Sequence, residues 1–414
     1  MYVRHPVWIQ RVRKPGAEAF AILFALESLA RALLATVIPL QVFALLGDAW
    51  SVSLVFFFVS LVSLCGTFAV PWLVRKSARR FVYSGGVALL ALAPILLALD
   101  GLGTQVAGMM VRVLAVVTMT VCLNLYIMDT IARRDLGRSE PMRVFYSAGA
   151  WTLGPALGVY LGLNVSPLAP YVASMMCALL LLGYFWYLRM TESPALSQPA
   201  GPTPGPVHNI RRYFARPRLV LAWLISVARN AWWSLFFIYA PIYAVKSGLG
   251  EFAGGLIVSI GMGFLFTMPL WGALLRRIGM RALLICGFAA SGASTASVAA
   301  FADVPVLAVT LLLAAALAMV ALDAIGNMPF MLAVRTGERA EMTTVYSTYR
   351  DAAEILPPGV FSAVLKLFEL PAVFVAGGIA MFAAAWMSRR LHPRLGLAKR
   401  KKTPMSAPSL ATGR

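Results

Sequence analysis

Charge is scarce in this chain of 414 residues. Only 13% of positions are Asp, Glu, Lys or Arg and 60% are apolar, whereas a soluble domain is about a quarter charged. Water is therefore not its main solvent, and a multi-domain soluble enzyme is excluded. Acidic residues are scarcer still, 16 against 36 Lys and Arg, for a net charge of +20. In solution that excess would suggest nucleic acid. Here the basic residues sit in short clusters between apolar runs, the pattern of loops facing an anionic lipid leaflet, so a bilayer and no nucleic acid is the expected surroundings. Histidine is nearly absent: His5, His208 and His392 all lie outside the apolar runs. No imidazole is then available inside a membrane for proton relay, metal binding or a Ser-His-Asp constellation. The four cysteines, Cys65, Cys122, Cys177 and Cys286, are far apart within apolar runs and read as small buried hydrophobes. No phosphate loop of the Gly-x-x-x-x-Gly-Lys-Ser/Thr type occurs, so ATP hydrolysis through that motif is ruled out. Neither an enzyme nor a cofactor or metal is expected.

What is present is a series of apolar runs, at about 17–46, 51–74, 81–99, 105–132, 144–163, 168–188, 219–245, 252–275, 280–302, 305–334, 344–365 and 370–388. Each is long enough for the roughly 20 residues that span a bilayer core, which predicts twelve transmembrane helices. The basic arm before residue 16 leads into a run too long for a signal-peptide core that carries Glu27 and Arg31, so it reads as a retained first helix. Lys and Arg cluster in the N-terminal arm, in every second connection and in the tail. The alternate connections hold only Lys246 and Lys366, and Arg31, Arg112, Arg229 and Arg350 fall within spans. By the positive-inside rule both termini are cytoplasmic.

The longest connection contains Gly201-Pro202-Thr203-Pro204-Gly205-Pro206, a linker composition. It divides the chain into a six-helix bundle over 1–189, a cytoplasmic linker over 190–218, a second six-helix bundle over 219–390 and a basic cytoplasmic tail over 391–414. The bundles also repeat. Pro71 to Arg80 and Gly272 to Arg281 are both basic connections 201 residues apart, and Tyr146-Ser147 recurs as Tyr346-Ser347 at an offset of 200. An internal duplication is the reading.

With these features the chain resembles the major facilitator superfamily over nearly its whole length. That family's loop signature between helices 2 and 3 is matched well by Gly272, Leu274, Arg277, Gly279 and Arg281, and loosely by Leu73, Lys76, Arg79 and Arg80. Arg75 and Arg276 stand where the family has Asp, which puts its usual cytoplasmic charge relay in doubt. Gly154-Pro155-Ala156-Leu157-Gly158 is similar to a helix 5 motif of the family's proton-driven exporters, with Val159 in place of the last Gly. The resemblance implies an all-α membrane protein of two matched halves with a substrate site near the bilayer midplane. It also assigns gating or conformational roles to Gly154, Pro155, Gly158, Gly272, Arg276, Arg277, Gly279 and Arg281.

An ionised group at bilayer depth costs about 2.5–3.5 kcal/mol on insertion scales, so such residues face cavities and pair. Nine occur: Glu27, Arg31, Arg112, Asp129, Arg229, Asp323, Arg350, Asp351 and Glu354. Six lie on helices 1, 4, 7 and 10, which line the central cavity in the family. Glu27 and Arg31 share a helix face, either as a titrating site or as a permanent structural pair. Arg112 either faces the cavity or snorkels to the interface. Asp323 and Asn327 share a face of helix 10, with Asn124 at the corresponding place in helix 4, and Asp323 is the first choice for a coupling carboxylate. Arg350 and Glu354 share a face of helix 11, followed by Pro357-Pro358, a candidate bend or gate. Asp129 and Asp351 read as structural. Beside Arg229 and Asn230, the aromatic run Trp232, Trp233, Phe236, Phe237 and Tyr239 either packs or contacts substrate, with Trp233 the candidate.

The expectation is a monomeric secondary transporter of a bacterial-type inner membrane, moving a small solute by alternating access, with proton-coupled export ahead of proton-coupled uptake. A non-transporting sensor or assembly factor of the same fold is the rival. Substrate charge stays open: Arg31, Arg229 or Arg350 suits an anion and Asp323 a cation.

Overall fold

The computed structural model describes residues 17–99, 101–130, 136–188, 206–335 and 338–391. Among them every regular element is helical, as it must be where lipid cannot satisfy backbone polar groups. The first part of the chain forms α1 (Ala17–Ala32), α2 (Val37–Leu46), α3 (Ala49–Lys76), α4 (Arg79–Leu97), α5 (Leu102–Thr130), α6 (Leu136–Asn164) and α7 (Ala169–Tyr187). A short α8 (Pro206–Phe214) precedes α9 (Pro217–Lys246), α10 (Glu251–Gly263), a 3-10 turn at Phe264–Thr267, and α11 (Met268–Ile278). The rest comprises α12 (Met280–Ala300), α13 (Pro305–Asp323), α14 (Met328–Ala333), α15 (Arg339–Ser347), α16 (Tyr349–Leu367) and α17 (Pro371–Ser388). Proline opens many of them, at a position whose N–H has no helical partner anyway, as in α9, α13 and α17. Asp48 caps α3 by accepting from the Ser51 N–H at 2.7 Å.

Ten helical segments among the described residues are long and apolar enough to cross a membrane. The two remaining runs of the expected twelve also form helices, α6 and α16, but do not qualify by apolarity. The first turns of α16 carry Arg350, Asp351 and Glu354, and α6 is rich in glycine with Arg138, Glu140 and Arg143 near its start.

Three spans are interrupted where the sequence reading marked none. The first breaks at Leu33–Thr36, between α1 and α2; the eighth tightens to 3-10 at Phe264–Thr267; the tenth breaks between α13 and α14. Each interruption lies just before a proline (Pro39, Pro269, Pro329), which cannot donate to the carbonyl four residues back. Gly326 in the tenth adopts φ +56, a left-handed turn. By contrast, the double proline at Pro357-Pro358 does not interrupt α16. Pro358 leaves the Glu354 carbonyl without its helical donor, and Ser60 Oγ of α3 donates to it at 3.1 Å.

The helices up to α7 pack mainly among themselves, α1 on α6 and α7 and α4 on α5 and α7. In the second part α12 packs on α13 and α17. The two groups join along α3 with α16 and along α6 with α10. The apolar cores are unequal. One core runs across both groups, combining Ile38, Val42 and Val52 with Tyr239, Ile242 and Phe361. Two others stay within one group each: Phe20, Val82, Tyr83 and Phe185 in the first, Tyr213, Leu219, Phe330 and Tyr346 in the second. The first group enters the shared core only toward the end carrying Leu46 and Ala49; on the second group's side that core runs on to Leu275, Met280 and Leu284, and at the end carrying Lys76 and Pro217 none of the three cores joins the two groups.

Candidate functional site

Between the two groups, behind the shared core, lies a cavity of about 450 Å3, within the range of small-molecule sites. The interruption of the first span brings Arg31, Leu34, Ala35 and Pro39 to its wall. Ser60 and Ser63 come from α3, Arg112 from α5, Trp151 from α6, Asn230, Trp233 and Phe237 from α9, and Arg350, Glu354 and Pro358 from α16. Its walls are largely apolar with a few convergent charges, the usual make-up of a ligand site.

Both broken spans are bridged by an arginine from another helix. At the first break Arg112 Nη2 donates to the Arg31 carbonyl at 2.9 Å. At the second, Arg229 Nη1 donates to the Gly326 carbonyl at 3.1 Å and reaches the Leu322 carbonyl at 3.4 Å, while its Nε stands 3.3 Å from Asp323 Oδ1. A helix end buried in a membrane needs donors for its last carbonyls, and the two guanidinium groups supply them. Asp323 in turn accepts from the Trp233 indole N–H at 3.0 Å. Trp233 thus stands between the cavity and a partly buried ion pair, its ring orientation set by that bond.

The sequence-derived residues separate into two sets. Arg31, Arg112, Asn230, Trp233, Arg350 and Glu354 line the cavity, with Pro358. Glu27, Arg229, Asp323, Asn327 and Asn124 do not. Glu27 is fully buried in the first group and pairs with Arg31 at 3.3 Å. Asn327 accepts from Tyr346 Oη at 3.0 Å, and Tyr346 also shares a 2.6 Å hydrogen bond with Ser226. Asp351 lies on α16 outside the cavity and accepts from Thr67 at 3.2 Å, tying α16 to α3. The side chain of Asp129 is outside the described residues. Of the aromatic run, Trp232, Phe236 and Tyr239 are buried packing residues, while Trp233 and Phe237 face the cavity.

Of the residues assigned to gating, Gly154 and Gly158 lie where α6 meets the first break. A Cβ on Gly158 would sit 1.8 Å from the Leu33 carbonyl oxygen, and one on Gly154 would sit 2.4 Å from the Ala32 Cβ. Pro155 marks the junction with α10. The carbonyl of Pro155 is 3.0 Å from where a Cβ on Gly255 would be, and the neighbouring Ala156 N–H donates across the junction to Ser259 Oγ at 2.9 Å. A Cβ on Gly272 would meet only Arg276 Nη1, at 3.9 Å, and Gly279 turns the chain between α11 and α12 with φ +83. Arg276 and Arg277 are exposed and Arg281 half-buried, none with an ion pair among the described residues. Pro357 is buried within α16.

Trp151, Ser60 and Ser63 are cavity residues that sequence reasoning did not single out. Trp151 lies three residues before Gly154, and its ring packs on Phe237 at 5.3 Å across the two groups, with the Arg31 guanidinium 5.7 Å from its centroid. Its place beside the Gly-Pro motif was the one signal available. A second missed feature sits at the Lys76 end. Arg212 of α8 meets Glu338 at 2.7 Å and Arg216 binds the same carboxylate. The Arg216 hydrogen bond, followed by the charges of Arg216, Arg212 and Arg335, holds the Glu338 carboxyl below the usual glutamate range.

A family model described as Major Facilitator Superfamily matches residues 20–358. No curated protein matches the sequence significantly. Among solved structures, the chain is similar to a peptide transporter, POT, in complex with sulfate: 13% identity, 93% of this chain and 97% of that one covered, TM-score 0.71. It is also similar to the nucleoside transporter NupG, at 14% identity, 90% and 98% coverage and a TM-score of 0.68, and to the POT family transporter PepTSo, at 9% identity, 90% and 96% coverage and 0.71. At these identities the likeness is one of fold.

Proposed function

Because the chain belongs to the Major Facilitator Superfamily, we propose that it is a secondary transporter of twelve transmembrane helices in two halves, 1–189 and 219–390, with both termini cytoplasmic. It lies in a bacterial-type inner membrane and moves a small solute by alternating access. The observation that carries this reading is the asymmetry of the cores around the cavity: one core closes the Leu46 end across both halves, while no core joins the halves at the Lys76 end. Rocking the halves about the cavity exchanges which end is closed, and each closure exposes the charged lining to one side only.

The preferred mode is proton-coupled export, with Asp323 as the coupling carboxylate. Its contact with Trp233, a cavity residue, lets solute occupancy and protonation influence one another through a single hydrogen bond. Proton-coupled uptake is the second reading, since the fold admits either direction. The test is reconstitution in liposomes under an imposed pH gradient. Solute movement against the proton flow, abolished by Asp323→Asn but with solute exchange at equal pH retained, supports coupled export. Movement with the proton flow identifies uptake, and no flux of any solute removes the transporter reading in favour of a non-transporting sensor.

A further inference from the structure

We infer that the cavity takes a small organic monoanion with a flat apolar body, its oxyanion head held between Arg31 and Arg112 of one half and Arg350 of the other. This deepens the transporter reading and rests on it.

The charge balance comes first. Three guanidinium groups, Arg31, Arg112 and Arg350, face the cavity with one carboxylate, Glu354, which lies within electrostatic reach of all three. Glu27, behind Arg31, supplies one more negative charge. The Arg229 and Asp323 pair is neutral as a unit. Asp351, beside Arg350 and Glu354, supplies a third negative charge, so the wider set is balanced; the groups on the cavity wall itself, three guanidinium groups against Glu354, carry an excess of positive charge that an anionic head meets directly.

Hydrogen-bond capacity points the same way. Arg31 uses Nη1 on Glu27, Arg112 uses Nη2 on the Arg31 carbonyl, and Arg350 uses Nε on Tyr349 Oη at 3.3 Å. The remaining Nη groups of these three arginines find no acceptor among the described residues, and the buried Nε atoms of Arg31 and Arg112 are also unmatched. Guanidinium groups with open Nη donors on facing walls suit the planar two-oxygen geometry of a carboxylate.

The body of the ligand follows from the aromatic wall beside Arg31, whose guanidinium stands 5.7 Å from the Trp151 centroid. Trp151, Phe237 and Trp233 form a run of rings with centroids 5.3 Å and 6.1 Å apart. Trp151 belongs to one half and the other two to the second, so a flat ligand stacked there, with its head on the arginines, touches both halves at once.

The test uses the full chain in nanodiscs of phosphatidylcholine, with 2-naphthoate, the neutral 2-naphthamide and the cationic 2-naphthylmethylammonium as probes, and tryptophan fluorescence as readout. Naphthoate is expected to bind at least tenfold more tightly than either analogue. Arg350→Gln is expected to weaken naphthoate binding about tenfold or more, the loss of one charged hydrogen-bonding partner, and to erase the preference over the amide, while Arg350→Lys restores part of it. Arg350 is exposed to the cavity, and an unchanged melting temperature of the variant verifies that it folds. Equal or tighter binding of the ammonium probe, or an Arg350→Gln variant that keeps its preference for the anion, overturns the inference. Naphthoate binding that disappears when phosphatidylglycerol replaces phosphatidylcholine identifies a lipid headgroup as the occupant and overturns the assignment to a free solute. Binding without flux in liposomes leaves the anion site standing and removes the transporter reading. Flux of another solute without naphthoate binding removes the anion site alone.

Discussion

Replacing Gly158 by Ala perturbs the contact on which the first break depends. The added Cβ would lie 1.8 Å from the Leu33 carbonyl oxygen, 2.8 Å from its carbon and 3.2 Å from its Cα. A carbon and a carbonyl oxygen ordinarily approach to about 3.3 Å, so roughly 1.5 Å of movement is required. The obstacle is backbone rather than a flexible side-chain end. Leu33 is tied by its N–H to the Leu29 carbonyl at 3.1 Å, so relief means displacing α6 or the break that carries Arg31. Overpacking of this kind costs about 1–3 kcal/mol, against up to about 1 kcal/mol regained from helix propensity, for a net loss of about 0–3 kcal/mol, toward the upper end because backbone cannot yield as a side-chain tip does. Gly149 of the same helix has nothing within 4 Å of its would-be Cβ, so Gly149→Ala is the control and is expected to be neutral or slightly stabilising. The assay is thermal unfolding in detergent at one scan rate, because membrane proteins often unfold irreversibly. A Gly158→Ala protein melting at or above the Gly149→Ala control would refute the close approach of α6 to the first break.

Three further outcomes are expected. Asp48→Ala removes the cap of α3 and is expected to lower stability by about 1 kcal/mol, with Asp48→Asn costing less, read by the same melting assay. Trp233→Phe keeps an aromatic ring at the cavity but takes away the donor to Asp323. A loss of about 1–3 kcal/mol is expected, together with an altered pH profile of transport that a purely packing role would not produce. The Glu338 carboxyl is held below the usual glutamate range by Arg216 and Arg212. A depressed folded-state pKa means that the clasp contributes fully above the ordinary glutamate value and is lost as pH falls through the lowered one. Hydrogen-exchange protection of α8 is therefore expected to hold at neutral pH and fall only in acid, and to be low at all pH in Glu338→Gln.

The helical architecture was legible because lipid imposes a simple rule: long apolar runs become helices. The charged residues of the cavity wall were also visible, since Arg31, Arg112, Arg350 and Glu354 stand out in segments otherwise without charge. The broken spans were missed for a physical reason. Pro39, Pro269 and Pro329 interrupt their helices, whereas Pro357 and Pro358 do not, and the Glu354 carbonyl freed at the second of them is met by Ser60. That distinction depends on what a neighbouring helix offers, which no local pattern records. Likewise the side toward which a charge points depends on packing. Glu27 turns into its own bundle while Arg31, one turn later, faces the cavity, although spacing alone puts both on one face.

Alternation between the two ends of the bundle is tested most directly by electron-electron spin-label distances across the halves, in a background with Cys65, Cys122, Cys177 and Cys286 replaced. One label pair, at Leu45 and Leu249, reports the end closed by the shared core, and a second, at Phe81 and Ile278, reports the other end; all four positions are exposed. On changing pH or adding 2-naphthoate, the account predicts reciprocal shifts, one distance distribution lengthening as the other shortens. Distances that stay fixed at both ends, or that lengthen and shorten together, would contradict it.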